Sequence, residues 1–282
     1  MINLHDIRYC RVGVSNLDEA TRFATDILGL DVAYREPNAV YFKSDDRDHT
    51  MVYFRGDPKD HTVAFEAGGV ADLELAAVEL GRAGVDARLG TADECEQRHV
   101  GAMLAFQDPS GGKVELVVRP HHSGVRYHGR RDAGITGFSH VGLSTTNPAR
   151  DEQFWTQVCN ARVSDRIGDI ALMRVNAIHH TVALAPGRGA GIHHINHQVG
   201  SNDDVLRSYY HLSGQRVPIV FGPGRHPTSG ARFLYFQGPD GMVFEYSVGV
   251  DEIEDEETHR PRQFGFEPSS LCMWGAKSAR PR

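Results

Sequence analysis

The strongest constraint on this chain is that its second half repeats its first half. Three segments of the first half have counterparts in the second, in the same order: residues 8–14 with 137–143, 60–65 with 193–198, and 106–115 with 236–245. The offsets are 129, 133 and 130 residues, and the last pair keeps the same six-residue spacing from proline to glutamate. Ordered matches at nearly one offset indicate a duplicated module, so both halves are expected to fold alike.

Each module is itself predicted to contain two units built from a strand, a helix and three further strands. Apolar residues recur at helical spacing over 17–28, 71–80 and 204–212, which predicts helices there. Short alternating or β-branched runs between the helices predict strands, for example over 39–42, 51–54, 231–236 and 242–248. The pattern indicates an α+β fold in which a βαβββ unit occurs four times.

The module boundary is predicted at residues 121–133, a stretch rich in Gly, His and Arg that has no sustained periodicity. The first module then covers residues 1–120 and the second covers 134–250. Residues 251–282 form a tail whose apolar and aromatic side chains are too numerous for a free segment. We expect this tail to pack on the second module.

Composition excludes several classes of protein. The 282 residues are 40% hydrophobic and 24% charged, which is typical of a globular protein. A net charge of −7 without a basic cluster disfavours nucleic-acid partners. No apolar run is long enough to cross a membrane, and the N-terminus does not resemble a signal peptide. Four scattered cysteines without a CxxC pair suit a reducing compartment, so a cytoplasmic location is expected.

The 16 histidines direct attention to metal and acid–base chemistry. At the matched positions of the second module, His140, a histidine of the 193–197 segment and Glu245 lie in three different predicted strands. Two imidazoles and one carboxylate leave open positions on a metal, as in non-haem Fe(II) enzymes that activate O₂. The residues themselves leave the choice between His193, His194 and His197 open.

Four segments in order resemble one family, the type I extradiol ring-cleaving dioxygenases of the vicinal oxygen chelate superfamily. They are residues 138–143, 191–196, 222–227 and 234–246. The resemblance covers nearly the whole chain and implies a fold of two barrel-like domains, with metal in the C-terminal one. It also selects His194 as the second histidine ligand beside His140 and Glu245.

The resemblance further implies roles for residues around the metal. His180 matches the acid–base histidine, His226 the histidine beside the substrate hydroxyls, and Tyr235 the tyrosine that bonds one diol oxygen. Strand alternation would place His180 on one face with Val182 and Leu184. The implied reaction is meta cleavage of a catecholic substrate in aromatic catabolism, with Fe(II) or Mn(II) as cofactor, O₂ as co-substrate and a homo-oligomeric enzyme.

The first module is expected to lack the metal. Arg11 stands where the second module has His140, and a guanidinium cannot lose its proton to bind a cation. His61 and Glu115 persist there, and we interpret both as structural residues. Two alternatives share the fold: an isomerase, epimerase or thiol transferase of the superfamily, and a non-enzymatic protein that binds small molecules. The former usually draw ligands from both modules or chains, so Arg11 argues against them.

Overall fold

The computed structural model describes residues 1–279 of the chain. The first half forms one sheet from β1 (Asp6–Val14), β2 (Asp31–Arg35), β3 (Ala39–Lys43), β4 (Met51–Arg55), β5 (His61–Glu66), β6 (Ala87–Leu89), β7 (Val100–Gln107) and β8 (Lys113–Pro120). The second half forms another from β9 (Ile135–Thr145), β10 (Arg162–Ile167), β11 (Ile170–Arg174), β12 (Val182–Pro186), β13 (Gly191–Val199), β14 (Ile219–Arg225), β15 (Arg232–Gln237), β16 (Val243–Val248) and β17 (Arg262–Phe264).

The α-helices are α1 (Leu17–Arg22), which continues as a π-helix over Phe23–Leu28, α2 (Val70–Arg82), α3 (Ala92–Arg98), α4 (Pro148–Gln157), α5 (Asn202–Gly214) and α6 (Pro268–Leu271). Helices α1 and α2 of the first half correspond to α4 and α5 of the second, whereas α3 and α6 have no counterpart among the described residues. Asn16, Asn147 and Ser201 cap α1, α4 and α5 with side-chain oxygens that accept a backbone N–H of the first turn. In the residues described, no helix has both the length and the apolar character needed to cross a membrane.

The strand order confirms the predicted α+β fold of four βαβββ units. The first sheet runs β2-β3-β4-β1-β5-β8-β7-β6, and the second runs β14-β15-β16-β13-β9-β12-β11-β10-β17. Within every unit the first and last strands pair in parallel, as β1 does with β4 and β13 with β16. The two units of a module meet through their first strands, which pair antiparallel. The duplication therefore appears as two sheets of the same design.

Side-chain alternation separates the two faces of the second sheet. Val141, Ile195 and Phe244 belong to the main hydrophobic core, together with Trp155 of α4. Because successive side chains of a strand point to opposite faces, the residues next to these three in sequence lie on the other face. That face carries the candidate site.

The two modules are joined by hydrogen bonds as well as by apolar packing. The backbone N–H of Ile192 donates to Nδ1 of His61 over 3.0 Å, and the other nitrogen of that ring lies 2.7 Å from the carbonyl of Pro58. The hydroxyl of Tyr246 donates to the carbonyl of Leu28 at 2.7 Å. Both ring nitrogens of His61 are therefore occupied at the boundary between the modules.

The tail returns to the second sheet. Its strand β17 lies parallel to β10, with Arg262 opposite Asp165, and Cys272 is buried. Residues 280–282 of the expected tail lie outside the described residues. The contacts of β17 place a segment of the tail beside β10, at the edge of the sheet that carries the site.

Candidate metal centre

Three side chains from neighbouring strands converge on the face opposite the core. His140 lies on β9, His194 on β13 and Glu245 on β16, and these strands are adjacent in the sheet. His140 Nε2 lies 3.0 Å from Glu245 Oε2 and 3.3 Å from His194 Nε2, and His194 Nε2 lies 3.6 Å from Glu245 Oε2. The structure thus brings together the three residues that the resemblance selects.

Of the three histidines that the sequence left open, His194 alone lies beside His140 and Glu245. The side chain of His193 is exposed, and its Nδ1 lies 2.9 Å from Nδ1 of His194. His197 is buried on the core face, near the rings of Phe138 and Phe244. Burial lowers the pKa of His197 to about 3, so it stays uncharged in the core.

All three groups are buried, and burial and charge set the protonation states of His194 and Glu245. Relative exposure is 1% for His140, 6% for His194 and 1% for Glu245. Burial lowers the pKa of His194 well below its ordinary value, which leaves the imidazole neutral with a free lone pair. Burial alone would raise the pKa of Glu245, but the side chains of His140 and His226 hold it well below its ordinary value. An ionised carboxylate therefore faces the neutral imidazole of His194.

The donor set fits a divalent cation. Glu245 Oε2 is buried and has no hydrogen-bond partner, although a buried carboxylate oxygen without one is costly. Metal–ligand bonds of about 2.0–2.2 Å require ligand atoms roughly 3 Å apart on one face of a metal, and the three atoms lie 3.0–3.6 Å apart. A cation held by these three residues would satisfy the oxygen.

The three residues predicted to handle protons surround this cluster. The ring centroid of His180 lies 4.2 Å from that of His140, and the ring centroid of Tyr235 lies 5.3 Å from that of His194. His226 Nε2 lies 3.2 Å from the Tyr235 hydroxyl and 3.8 Å from Glu245 Oε1. Nδ1 of His226 donates to the carbonyl of Leu271 in the tail at 2.8 Å.

The expectation that His180 shares a strand face with Val182 and Leu184 is wrong. His180 precedes β12 in the connection from β11, so the two-residue alternation of a strand does not extend to it. Val182 and Leu184 belong to the main core, whereas the His180 ring packs against His140.

Two of the surrounding groups are uncharged. Burial, followed by the nearby His140 and His179, lowers the pKa of His180 well below its ordinary value. Burial, followed by the Glu245 carboxylate, raises the pKa of Tyr235 well above its ordinary value. The site therefore offers a neutral imidazole that can accept a proton and a phenol that can donate a hydrogen bond.

The corresponding place in the first module is filled by an ion pair. Glu115, the counterpart of Glu245, accepts Nε and Nη2 of Arg98 at 3.2 and 2.9 Å and the hydroxyl of Tyr9 at 2.6 Å. Arg11 lies over the ring of Phe54, 5.6 Å from its centroid. Both carboxylate oxygens of Glu115 are therefore already satisfied within the protein.

Comparison with known proteins agrees with this architecture. The model of the Glyoxalase/Bleomycin resistance protein/Dioxygenase superfamily matches residues 6–116 and 137–246. The chain belongs to this superfamily. One match falls in each half, as the duplication requires.

Relatives within the superfamily confirm the resemblance to extradiol dioxygenases. An iron-dependent extradiol dioxygenase from Rhodococcus jostii is 25% identical, over 97% of each chain. A crystal structure of a halotolerant catechol dioxygenase has a TM-score of 0.90 and 23% identity, covering 100% of this chain and 97% of the other. The Mn(II)-bound glyoxalase from Novosphingobium aromaticivorans has a TM-score of 0.88 and 26% identity, with coverages of 100% and 96%.

Sequence reasoning missed a chain of groups behind His180. Nδ1 of His179 lies 3.2 Å from Nδ1 of His180, and Nε2 of His179 lies 3.0 Å from Asp165 Oδ2. One signal was available, because the segment 48–50, Asp-His-Thr, matches 179–181, His-His-Thr, at an offset of 131 residues. That match makes His49 the counterpart of His180.

A large cleft lies away from this cluster. It has a volume of about 890 Å³ and is lined by linker residues and by Ser44, Asp45 and Asp46 of the first module. None of the six candidate site residues contributes to its wall. This cleft and the buried cluster are therefore separate features of the molecule.

Proposed function

We propose that the protein is an Fe(II)-dependent extradiol dioxygenase that inserts both atoms of O₂ into a catecholic substrate, with meta cleavage of the ring. The observation that carries this proposal is the buried His140, His194 and Glu245 cluster, flanked by His180, His226 and Tyr235. The iron-dependent extradiol dioxygenase among its relatives supports both the reaction and the metal.

In this proposal His140, His194 and Glu245 hold the metal. When bound, the cation supplies a Lewis acid for the two diol oxygens and a redox centre for the reaction with O₂. Two histidines and one carboxylate are the ligand set of non-haem Fe(II) oxygenases. The chain contributes two imidazoles and the ionised carboxylate described above, buried from water.

The surrounding residues position the substrate and move its protons. Tyr235 keeps its proton and can donate a hydrogen bond to one diol oxygen. His226 donates from Nδ1 to the Leu271 carbonyl, which holds its Nε2 3.2 Å from the Tyr235 hydroxyl. His180 is neutral and can accept a hydroxyl proton and later return one, as general acid–base catalysis requires.

The first module is non-catalytic in this proposal, and its role is structural. The Arg98–Glu115 pair occupies the place of the metal, and His61 joins the modules through both ring nitrogens. Only the second module, residues 134–250, then provides ligands. This division separates the protein from superfamily enzymes that use both modules for one metal.

The test is to purify the protein anaerobically with Fe(II), add catechols and O₂, and record the absorbance of the yellow ring-cleavage product. Glu245→Gln and His194→Ala are expected to lose both iron and activity. Glu115→Gln is the matched control, because it makes the same change in the other module and should keep iron and activity. Unchanged activity in His194→Ala would refute the ligand assignment.

Manganese(II) and a glyoxalase-type reaction form the second candidate, supported by the Mn(II)-bound glyoxalase of similar structure. Metal analysis of the purified protein distinguishes the two cations. Turnover of a hemithioacetal without O₂ consumption would favour the glyoxalase reaction, and a protein that binds catechols without metal or turnover would favour a binding protein. Cytoplasmic location remains an expectation from the cysteine pattern, and homo-oligomeric assembly remains an expectation from the resemblance.

A further inference from the structure

Behind His180, on the side away from the metal cluster, lies a buried carboxylate that the proposed reaction does not use. Asp165 on β10 is 0% exposed. It accepts the backbone N–H of Arg262 at 2.8 Å, Nε of Arg262 at 3.1 Å and Nη2 at 2.6 Å, and it lies 3.0 Å from His179 Nε2. A buried carboxylate is stable when it is paired and fully hydrogen-bonded, and Arg262 of the tail supplies most of the donors.

The hydrogen bonds of this carboxylate determine which nitrogen of each neighbouring histidine carries the proton. An ionised carboxylate can only accept, so Nε2 of His179 is the donor to Asp165. In a neutral imidazole the other nitrogen is an acceptor, and Nδ1 of His179 lies 3.2 Å from Nδ1 of His180. With a neutral His179, His180 carries its proton on Nδ1, which leaves the lone pair on Nε2.

The first module shows a similar arrangement without the intervening histidine. His49, the counterpart of His180, has its Nδ1 3.0 Å from Oδ2 of Asp48. Asp48 is the counterpart of His179 at the same offset. In both modules, therefore, Nδ1 of this histidine faces an acceptor that directly precedes it in the sequence. The second module inserts an imidazole between the histidine and a carboxylate.

We propose that Asp165 and His179, held in place by Arg262 of the tail, are positioning residues that fix the orientation and tautomer of His180. This inference rests on the proposed function in taking His180 as the acid–base residue. Its Nε2 lone pair then faces the diol site, ready to accept a hydroxyl proton. This positioning role goes beyond the binding of metal and substrate. Because Arg262 belongs to the tail, proton transfer by His180 then depends on the tail being docked.

The direct test needs no variant. Protein with ¹⁵N-labelled histidine, loaded with Zn(II) as a diamagnetic substitute, is examined by long-range ¹H–¹⁵N correlation spectroscopy. We expect His180 to be protonated on Nδ1 and His179 on Nε2. A wild-type protein with His180 protonated on Nε2 would overturn the proposal, whether or not the protein cleaves catechols.

Variants test the consequence for turnover. His179→Leu removes the acceptor, and His179→Gln keeps a side-chain oxygen that can accept from His180. General acid–base catalysis contributes about 10²–10⁴-fold, so kcat of the iron-loaded Leu variant should fall on the order of tenfold or more. Its KM and iron content should stay near those of wild type, and the Gln variant should recover most of kcat.

Asp165→Asn and Arg262→Gln should lower kcat in the same way and populate the other His180 tautomer. Asp48→Asn is the matched control in the first module and should leave kcat unchanged. Wild-type kcat together with the wild-type tautomer in both His179→Leu and Asp165→Asn would overturn the proposal. A wild-type protein without ring-cleaving activity, but with His180 protonated on Nδ1, would instead refute the proposed function and leave the positioning role supported.

Discussion

The buried Arg98–Glu115 ion pair of the first module gives a quantitative prediction for stability. Glu115 is 4% exposed and accepts two nitrogens of Arg98 and the Tyr9 hydroxyl. Arg98→Met keeps the apolar stem of the side chain but removes both charged donors, so a buried carboxylate is left with one hydroxyl. Breaking a buried ion pair in this way costs about 3–5 kcal/mol. Since the Arg98 side chain is 15% exposed, we expect the lower end, about 3 kcal/mol.

A double variant separates the cost of the unpaired charge from the cost of lost packing. Arg98→Met combined with Glu115→Gln removes both charges and keeps an acceptor for Tyr9. We expect the free energy of unfolding of the double variant to fall by only about 1 kcal/mol, because replacing both charges of a buried pair by uncharged side chains often changes stability little.

The assay is urea unfolding of metal-free protein at pH 7, followed by circular dichroism, with the free energy of unfolding obtained by linear extrapolation. Iron binding in the second module should be unchanged in both variants. The reasoning would be refuted if Arg98→Met lay within about 0.5 kcal/mol of wild type, or if the double variant were less stable than Arg98→Met alone.

Three further predictions concern pH, the site and the metal. Burial raises the pKa of Asp108 from 3.8 to about 6, so the free energy of unfolding of wild type should fall as pH rises through 6. Asp108→Asn should be more stable than wild type by about 1–3 kcal/mol at pH 8 and should lose that advantage below pH 4. Equal stability of the two proteins toward urea at pH 8 would contradict this. A Cβ at Gly142 would lie 2.3 Å from Nδ1 of His194, so Gly142→Ala should displace this ligand and weaken Zn(II) binding about tenfold or more in a calorimetric titration. Gly189→Ala is the control, because a Cβ at Gly189 meets open space, and it should leave Zn(II) binding unchanged. Saturating divalent metal should raise Tm by about 5 °C in a scan, and chelator should reverse the rise; the same shift in Glu245→Gln would count against the ligand set.

Much of the fold could be predicted because it follows from local periodicity and from repetition. A βαβββ unit is visible as one helical stretch among alternating runs, and the duplication at offsets near 130 residues relates two matching halves. The same offsets place His140 and Glu245 at matched positions of the two modules, which marks both as candidate metal ligands. Strand alternation in the short segments 194–198 and 243–248 then places neighbouring side chains on defined faces.

The choice among neighbouring histidines could not be made from the residues alone. His193, His194 and His197 lie within five residues of one another, and register irregularities in the pairing of β13 with β9 shift the alternation between them. A bulge of this kind leaves little trace in sequence, yet it decides which side chain faces the metal cluster and which faces the core. Strand alternation likewise could not predict the face of His180, because this residue precedes β12.

The sequence by itself determined the architecture, the asymmetry between the modules and the types of side chain at the site, because repeats and strand periodicity are local properties. Tertiary structure decided how the charges are paired. Arg98 pairs with Glu115 in the first module, while Arg262 of the tail pairs with Asp165, 97 residues earlier, in the second. Such pairs depend on strand register and on where the tail docks, and burial makes each of them matter because an unpaired charge is costly in the protein interior.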